Sequence, residues 1–169
     1  MVAGIPRNNV SNAKSEWCTP LYLYEKLDAE FHFDIDAACT AENCLCKFGF
    51  AKEFQDALTI DWSNPPDFKK NPTIFLNPPY GRGVIEAFTK KAFEASQKGA
   101  TVVCLVPFSG AGWFRKYCLK AYEIRILGRV KYIGFAADGT LIRNSPTFDS
   151  CVVVFYPGEH QAKLVDFEW

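Results

Sequence analysis

Residues 73–83 read TIFLNPPYGRG, in which a short apolar run is followed directly by two consecutive prolines. The four residues TIFL have the composition of a buried strand. Pro78 and Pro79 lack N–H donors and have fixed φ angles, so a regular strand cannot continue through them. We therefore predict a strand over residues 73–76 that leaves its sheet at Asn77.

The segments on both sides of this strand alternate between helical and extended patterns. Thr19 followed by Pro20 is typical of a helix start, with the threonine as the cap, and predicts a helix over residues 20–30. The apolar run TVVCLVPF is typical of a strand buried on both faces, as in a parallel sheet. We further predict strands over residues 31–39, 101–108 and 123–127, helices over residues 84–99 and 112–121, and an antiparallel pair formed by residues 128–135 and 150–156. Together these segments predict an open α/β sheet.

The chain length of 169 residues fits one domain, which we place at residues 16–169 after a flexible N-terminal tail at residues 1–15. Its 19 basic and 19 acidic residues balance, so any binding to nucleic acid must rest on a local basic patch. No apolar run reaches transmembrane length, and the N-terminus lacks a signal-peptide core. This pattern favours a cytoplasmic protein without a membrane partner.

The seven cysteines are odd in number and irregular in spacing, which favours free thiols in a reducing cytoplasm. Cys39, Cys44 and Cys46 are close in sequence, and with His32 or His160 they raise the question of a metal site. Their spacing does not match a CxxC pair, and no second pair answers it. We therefore predict no metal.

The loop at residues 77–80 offers a side-chain amide oxygen, rigidly directed backbone carbonyls and an aromatic ring. Each proline holds the residue before it in an extended conformation, which fixes the acceptors of Asn77 and Pro78 in direction. Two such acceptors can bind the hydrogens of an amino group and expose its lone pair for attack, while Tyr80 stacks on the ring that carries it. The loop therefore predicts chemistry on a planar substrate with an NH₂ group.

Four motifs extend this interpretation. EWCTP (residues 16–20), FDIDAAC (33–39), DALTIDW (56–62) and NPPYG (77–81) follow one another along the chain. In this order they resemble the phage-type family of DNA N6-adenine methyltransferases, amino methyltransferases that use S-adenosyl-L-methionine. The resemblance covers roughly residues 16–155. It implies a Rossmann-like methyltransferase fold, with a mostly parallel sheet, helices on both faces and a C-terminal antiparallel hairpin, in a protein of phage or prophage origin.

The resemblance also implies roles for the proline loop. Asn77 and the Pro78 carbonyl would accept the N6 hydrogens of adenine, and Pro79 would shape the loop. Tyr80 would stack on an adenine that is flipped out of the DNA.

A cofactor site for S-adenosyl-L-methionine is implied at Trp17, Thr19, Pro20, Asp34, Asp36, Ala37, Asp56, Asp61 and Asn77. Within this set we favour Asp36 over Asp34 as the acceptor for the cofactor's amino group, and Asp61 over Asp56, with Trp62 covering the cofactor's ring. The alternative is structural: Trp17 would be a core aromatic residue and Thr19 only a helix cap. The usual glycines of this cofactor loop are replaced by AACT at residues 37–40, so a close backbone approach to the cofactor is not expected.

For DNA, the candidate contacts are Arg82, Arg129, Lys131, Arg143 and Asn144, which could bind phosphates or read base edges. Each of them could equally be solvated surface. The chain has no room for a separate target-recognition domain, and we expect a monomer or a weak dimer. Two alternatives remain open: methylation of another amino group, on cytosine N4, an RNA base or a protein glutamine, and a catalytically silent relative that binds DNA or cofactor.

Overall fold

The computed structural model describes residues 17–51, 56–135, 141–144 and 146–167. The predicted tail at residues 1–15 lies outside the described residues, as does Glu16 of the EWCTP motif. In chain order the elements are α1 (Leu21–Phe31), β1 (Ile35–Asp36), β2 (Phe48–Gly49), β3 (Thr73–Leu76), α2 (Val84–Gln97), β4 (Thr101–Pro107), α3 (Gly112–Tyr117), a 3-10 helix (Cys118–Lys120), β5 (Glu123–Gly128), β6 (Tyr132–Phe135), β7 (Leu141–Asn144), β8 (Ser150–Phe155) and β9 (Lys163–Asp166).

Seven of these strands form one sheet in the order β2-β1-β3-β4-β8-β5-β9. The pairs β1–β2, β1–β3, β3–β4 and β5–β9 are parallel, whereas β8 is antiparallel to both of its neighbours. The strand predicted at residues 73–76 is confirmed, and the proline loop leaves the sheet at Asn77. The architecture is therefore an open, mostly parallel α/β sheet, as the sequence predicted.

The sheet has a hydrophobic core on each face, because successive residues of a strand point to opposite sides. Ile74 and Leu76 of β3 belong to the core that includes α2 and α3. Phe75, between them, belongs to the core that includes Leu23 and Leu27 of α1. Helices thus cover both faces of the sheet, which confirms that part of the prediction.

The pairing predicted for the C-terminal strands is wrong. Residues 132–135 pair with residues 141–144, and these two strands form a separate antiparallel sheet. Strand β8, predicted as their partner, lies instead between β4 and β5, with Cys104 opposite Val153. All six residues of β8 are buried, and only an interior position in the sheet gives such a strand neighbours on both sides and cover on both faces.

Two predicted element boundaries also differ from the structure. The strand predicted at residues 31–39 is reduced to Ile35–Asp36, because α1 continues to Phe31 and ends at His32 in the left-handed conformation. The N-cap of α1 is Pro20, which makes no side-chain capping bond, so Thr19 does not cap this helix. The Thr19 hydroxyl is therefore available to bond with the proline loop.

No helix in the described part of the chain combines the length and apolarity needed to cross a membrane.

Candidate cofactor and catalytic site

The parallel pairing of β1 with β3 brings two predicted motifs to the same edge of the sheet. Asp36 lies opposite Phe75, and the backbone N–H of Ala37 donates to the Phe75 carbonyl at 2.9 Å. The loops that follow β1 and β3 therefore leave the sheet side by side, at the carboxyl ends of both strands. Ligands of open α/β sheets characteristically bind at this edge.

A cavity of about 760 Å³ opens between these loops. Its lining residues come from the EWCTP segment, the loop after β1, the loop at residues 56–58, the proline loop and the start of α2. They are Trp17, Cys18, Thr19, Asp36, Ala37, Ala38, Cys39, Thr40, Glu42, Asn43, Leu45, Phe50, Asp56, Ala57, Leu58, Phe75, Asn77, Pro78, Pro79, Val84, Phe88 and Ile133. The volume is in the range of pockets that enclose a small organic ligand.

The side-chain amide of Asn77 is held in one orientation by the EWCTP segment. Its Nδ2 donates to the Trp17 carbonyl at 2.6 Å and to Thr19 Oγ1 at 3.0 Å. Because the carbonyl can only accept, this contact places the NH₂ group on the Trp17 side and Oδ1 on the other. Asn77 Oδ1 accepts a hydrogen bond from the Tyr80 hydroxyl at 2.9 Å, which leaves one lone pair of that oxygen for another donor.

Tyr80 lies under the loop and does not line the cavity. Its hydroxyl also lies 3.3 Å from the Leu105 carbonyl and 3.0 Å from the Tyr132 hydroxyl, which in turn lies 2.9 Å from Ser150 Oγ. Burial raises the pKa of Tyr80 well above its ordinary value of 10, so its hydroxyl stays protonated. The Tyr80 ring is half-buried and packs edge-to-face against Phe148 at 5.7 Å. This chain of hydroxyls fixes Tyr80 relative to Asn77.

Asp36 is a buried carboxylate at the wall of the cavity, with 4% of its surface exposed. Its two oxygens accept from the backbone N–H groups of Ala38 and Leu45, each at 3.2 Å. Burial raises the pKa of Asp36 to about 6, and the two N–H bonds oppose this rise. No basic side chain in the described residues forms an ion pair with Asp36. Such a carboxylate favours a ligand with a cationic or N–H donor group.

The predicted cofactor residues divide into two groups. Trp17, Thr19, Asp36, Ala37, Asp56 and Asn77 line the cavity, whereas Pro20, Asp34 and Asp61 do not. Asp34 instead accepts from the backbone N–H of Thr73 at 2.8 Å and pairs with Lys69 at 2.8 Å. We therefore do not retain Asp34, which directly precedes β1 and binds the first residue of β3, a structural role.

The preference for Asp61 over Asp56 is reversed by the structure. Asp61 is exposed, accepts from Ser63 and pairs at 3.1 Å with Lys98, the residue that caps the C-terminal end of α2, so it does not line the cavity. Trp62 is fully buried and donates to the Ala57 carbonyl at 2.8 Å, so it supports the cavity wall from the core and cannot cover a ring in the cavity. The sequence could not distinguish these roles, because all three acidic or aromatic side chains belong to one short loop.

Several lining residues were not singled out from the sequence. Phe88 was predicted only as part of the apolar stripe of α2, and Phe50 was not considered. For Phe88 the sequence held an indirect indication of a role at the cavity. Helix α2 begins shortly after the proline loop, so its first turns must lie at the same edge of the sheet. Ile133 of β6 lines the cavity because its backbone bridges to Cys18 in both directions, at 2.9 and 3.0 Å.

Three of the DNA-contact candidates, Arg82, Arg129 and Lys131, lie outside the cavity lining. Arg82, Arg129 and Lys131 are exposed. Arg143 and Asn144 belong to β7, but their side chains lie outside the described part of the structure. Lys131 directly precedes β6, and Ile133 of β6 lines the cavity, so one exposed basic side chain lies two residues along the chain from the cavity wall.

Three potential metal ligands meet beside the cavity. One ligand atom each from Asp36, Cys39 and Cys44 lies within 4.8 Å of the others. None of the seven cysteines, all of which lie in the described residues, forms a disulfide.

Comparison with known proteins gives the family. The family described as "DNA N-6-adenine-methyltransferase (Dam)" matches residues 7–163, which is most of the chain. A relative named "DNA N-6-adenine-methyltransferase" from Escherichia phage T1 is 30% identical over 119 residues. That alignment covers 69% of this chain and 46% of the relative, so the chain spans about half the length of the curated relative it matches. The resemblance read from the four motifs is thereby confirmed, and the chain belongs to the DNA N-6-adenine-methyltransferase (Dam) family.

Proposed function

We propose that this chain transfers a methyl group from S-adenosyl-L-methionine to the N6 amino group of adenine in DNA. Family membership supports the reaction class. The observation that carries the proposal is the fixed orientation of the Asn77 side-chain amide. Its nitrogen donates to the Trp17 carbonyl and to the Thr19 hydroxyl, and its oxygen, which accepts from Tyr80, keeps one lone pair for another donor. A fixed acceptor in the lining of a cavity of about 760 Å³ is what methylation of an amino group next to a bound cofactor needs.

The residues of the cavity fit this cofactor. S-adenosyl-L-methionine supplies a methyl group that is activated by its positive sulfonium. Asp36, buried and without an ion pair in the described residues, would accept from the amino group of the cofactor. The aromatic and aliphatic side chains of Phe50, Leu58 and Phe88 would provide the apolar wall for the rest of the molecule.

The chain would also position the nucleophile, which is the N6 nitrogen of adenine. Asn77 Oδ1 and the Pro78 carbonyl would accept the two N6 hydrogens, which favours a pyramidal nitrogen with its lone pair directed at the methyl group. Because no side chain needs to form a covalent bond, catalysis would consist of positioning and electrostatic stabilisation. Pro78 and Pro79 would keep the two acceptors in place throughout.

Tyr80 would contact the base by stacking. Its side chain is half-buried, and its hydroxyl donates to Asn77 Oδ1 in the same loop. Adenine inside a duplex cannot reach this position, so the base would have to be flipped out of the helix. Arg82, Arg129 and Lys131 are exposed and would bind the phosphate backbone, which makes the affinity depend on salt.

The proposal is tested by product analysis that distinguishes the acceptor. The protein is incubated with isotopically labelled S-adenosyl-L-methionine and, in parallel, with unmethylated duplex DNA, single-stranded DNA and RNA at low salt. Each substrate is digested to nucleosides and analysed by mass spectrometry. We expect label in N6-methyl-2′-deoxyadenosine from DNA. Label in N4-methyl-2′-deoxycytidine, in RNA alone, or in no nucleoside despite cofactor binding would contradict the proposal and favour one of the alternative acceptors or a silent relative.

A further inference from the structure

A compact group of two thiols and one carboxylate lies at the wall of the cavity, formed by the end of β1 and the loop at residues 37–46. Asp36 and Cys39 line the cavity and are each 4% exposed, and Cys44 is half-buried directly behind them. One ligand atom from each of the three residues lies within 4.8 Å of the other two. Hydrogen bonding from Ala38 and Leu45 holds the Asp36 carboxylate in this group.

The neighbouring strand leaves space for the two sulfur atoms. Gly49 of β2 pairs with Asp36 of β1, and the two strands are parallel. A Cβ atom added to Gly49 would lie 2.5 Å from Cys39 Sγ and closer still to Cys44 Sγ. The position that a side chain would fill at residue 49 is thus filled by both thiols, which turn towards one another over the glycine.

These donors are the ones that a soft divalent cation prefers. Zn²⁺ binds cysteine thiolates at about 2.3 Å and carboxylate oxygens at about 2.0–2.2 Å, which in a tetrahedron sets neighbouring ligand atoms about 3.6–3.8 Å apart. The distances between the ligand atoms, now within 4.8 Å, would have to shorten by at most about 1.2 Å to reach this geometry. Its fourth position would face the cavity, because Asp36 and Cys39 line it.

We propose that Asp36, Cys39 and Cys44 form a binding site for a soft divalent cation of the Zn²⁺ class at the wall of the cavity. The sequence argued against zinc because the cysteine spacing lacks a CxxC pair. The fold supplies the third ligand from the end of β1 instead. Binding would replace the two thiol protons with the cation, and two protons would be released to solvent. The site holds together the loop that forms one wall of the cavity.

The first test uses Cd²⁺ as a spectroscopic substitute for Zn²⁺, because cadmium–thiolate bonds absorb in the ultraviolet. The whole protein is titrated anaerobically, and we expect one Cd²⁺ per chain with a thiolate absorption band. Cys39→Ser and Cys44→Ser should each weaken binding by at least the ~10–100-fold that loss of a supporting metal contact costs. Cys46→Ser is the matched control: this residue lies on the same loop, but its thiol contacts Tyr24, so its variant should bind Cd²⁺ like the native protein.

A second test needs no substitution and remains decisive if the serine variants fold poorly. The native protein is alkylated with iodoacetamide with and without Zn²⁺, and the modified cysteines are located by fragment-ion mass spectrometry. Zn²⁺ should protect Cys44 from alkylation and leave Cys46 unchanged. Absence of stoichiometric Cd²⁺ binding, a thiolate band that survives both serine variants, or equal protection of Cys44 and Cys46 would overturn the site. Neither measurement requires methyl transfer, so failure of this inference and failure of the proposed function are distinguishable.

Discussion

Asp36 should make the cofactor-free protein less stable as the pH rises from about 4 to about 6. Burial raises the pKa of this carboxyl from 3.8 to about 6 in the folded chain. Between these two pH values the Asp36 carboxyl is protonated in the native state but ionised in the unfolded chain. The stability that this bound proton contributes is therefore present below pH 4 and is lost as the pH rises through 6. At about 1.4 kcal/mol per pKa unit, the free energy of unfolding should fall by ~3 kcal/mol.

Other carboxyls act in the opposite direction, so the effect must be isolated by substitution. The pKa of Glu30 is lowered by its hydrogen bonds to Arg125, and that of Asp61 by Ser63 and Lys98. The stabilisation that these two carboxylates give the folded protein is therefore lost as the pH falls. Asp36→Asn removes only the titration at Asp36. Urea denaturation of both proteins at pH 4, 5, 6 and 7 should show a stability difference that shifts by ~3 kcal/mol in favour of the variant as the pH rises. A stability difference that is independent of pH, or that shifts in favour of the native protein, would show that the pKa of Asp36 is not raised in the folded chain.

Three further predictions concern other parts of the site. Thr19→Val should leave one N–H of Asn77 without a partner, at a cost of about 1–3 kcal/mol, and lower kcat by about 5-fold to 100-fold, whereas Thr19→Ser should retain activity in the same steady-state assay. Gly49→Ala should lower the free energy of unfolding by about 1–3 kcal/mol in urea, because its methyl group overlaps two sulfur atoms; an unchanged midpoint would contradict the close packing. Lys131→Gln should weaken DNA binding and reduce the slope of log affinity against log salt by about 0.9, and an unchanged slope would remove Lys131 from the DNA surface.

The elements that depend on local signals were predictable from the sequence. The prolines end β3 where their missing N–H groups require, and the apolar stripe of α2 places Phe88 and its neighbours on the sheet. The position of β8 was not predictable, because its uniformly apolar residues indicate burial on both faces but do not identify the neighbouring strands. Pairing with β4 and β5 is decided by contacts between distant parts of the chain.

The candidate site shows the same limit. Motif order identified Asn77 and Asp36, and both lie at the cavity. Sequence could not choose between Asp56 and Asp61, since that choice depends on the direction in which the loop turns and on an ion pair with Lys98 at the end of α2. Nor could it show that the Thr19 hydroxyl binds Asn77 rather than capping α1, because both roles use the same atom.

The central claim is that Asn77 acts on the methyl acceptor and not merely in forming the cavity. The decisive measurement compares the native protein with Asn77→Ala in single-turnover methylation of duplex DNA, with cofactor affinity measured by calorimetry on the same samples. Asn64→Ala, at an exposed asparagine outside the cavity lining, serves as the matched control. We expect the formation of N6-methyl-2′-deoxyadenosine to fall by about 10²–10³-fold in Asn77→Ala alone, with the cofactor dissociation constant changed by less than about tenfold. Methyl transfer by Asn77→Ala at the native rate would contradict the account.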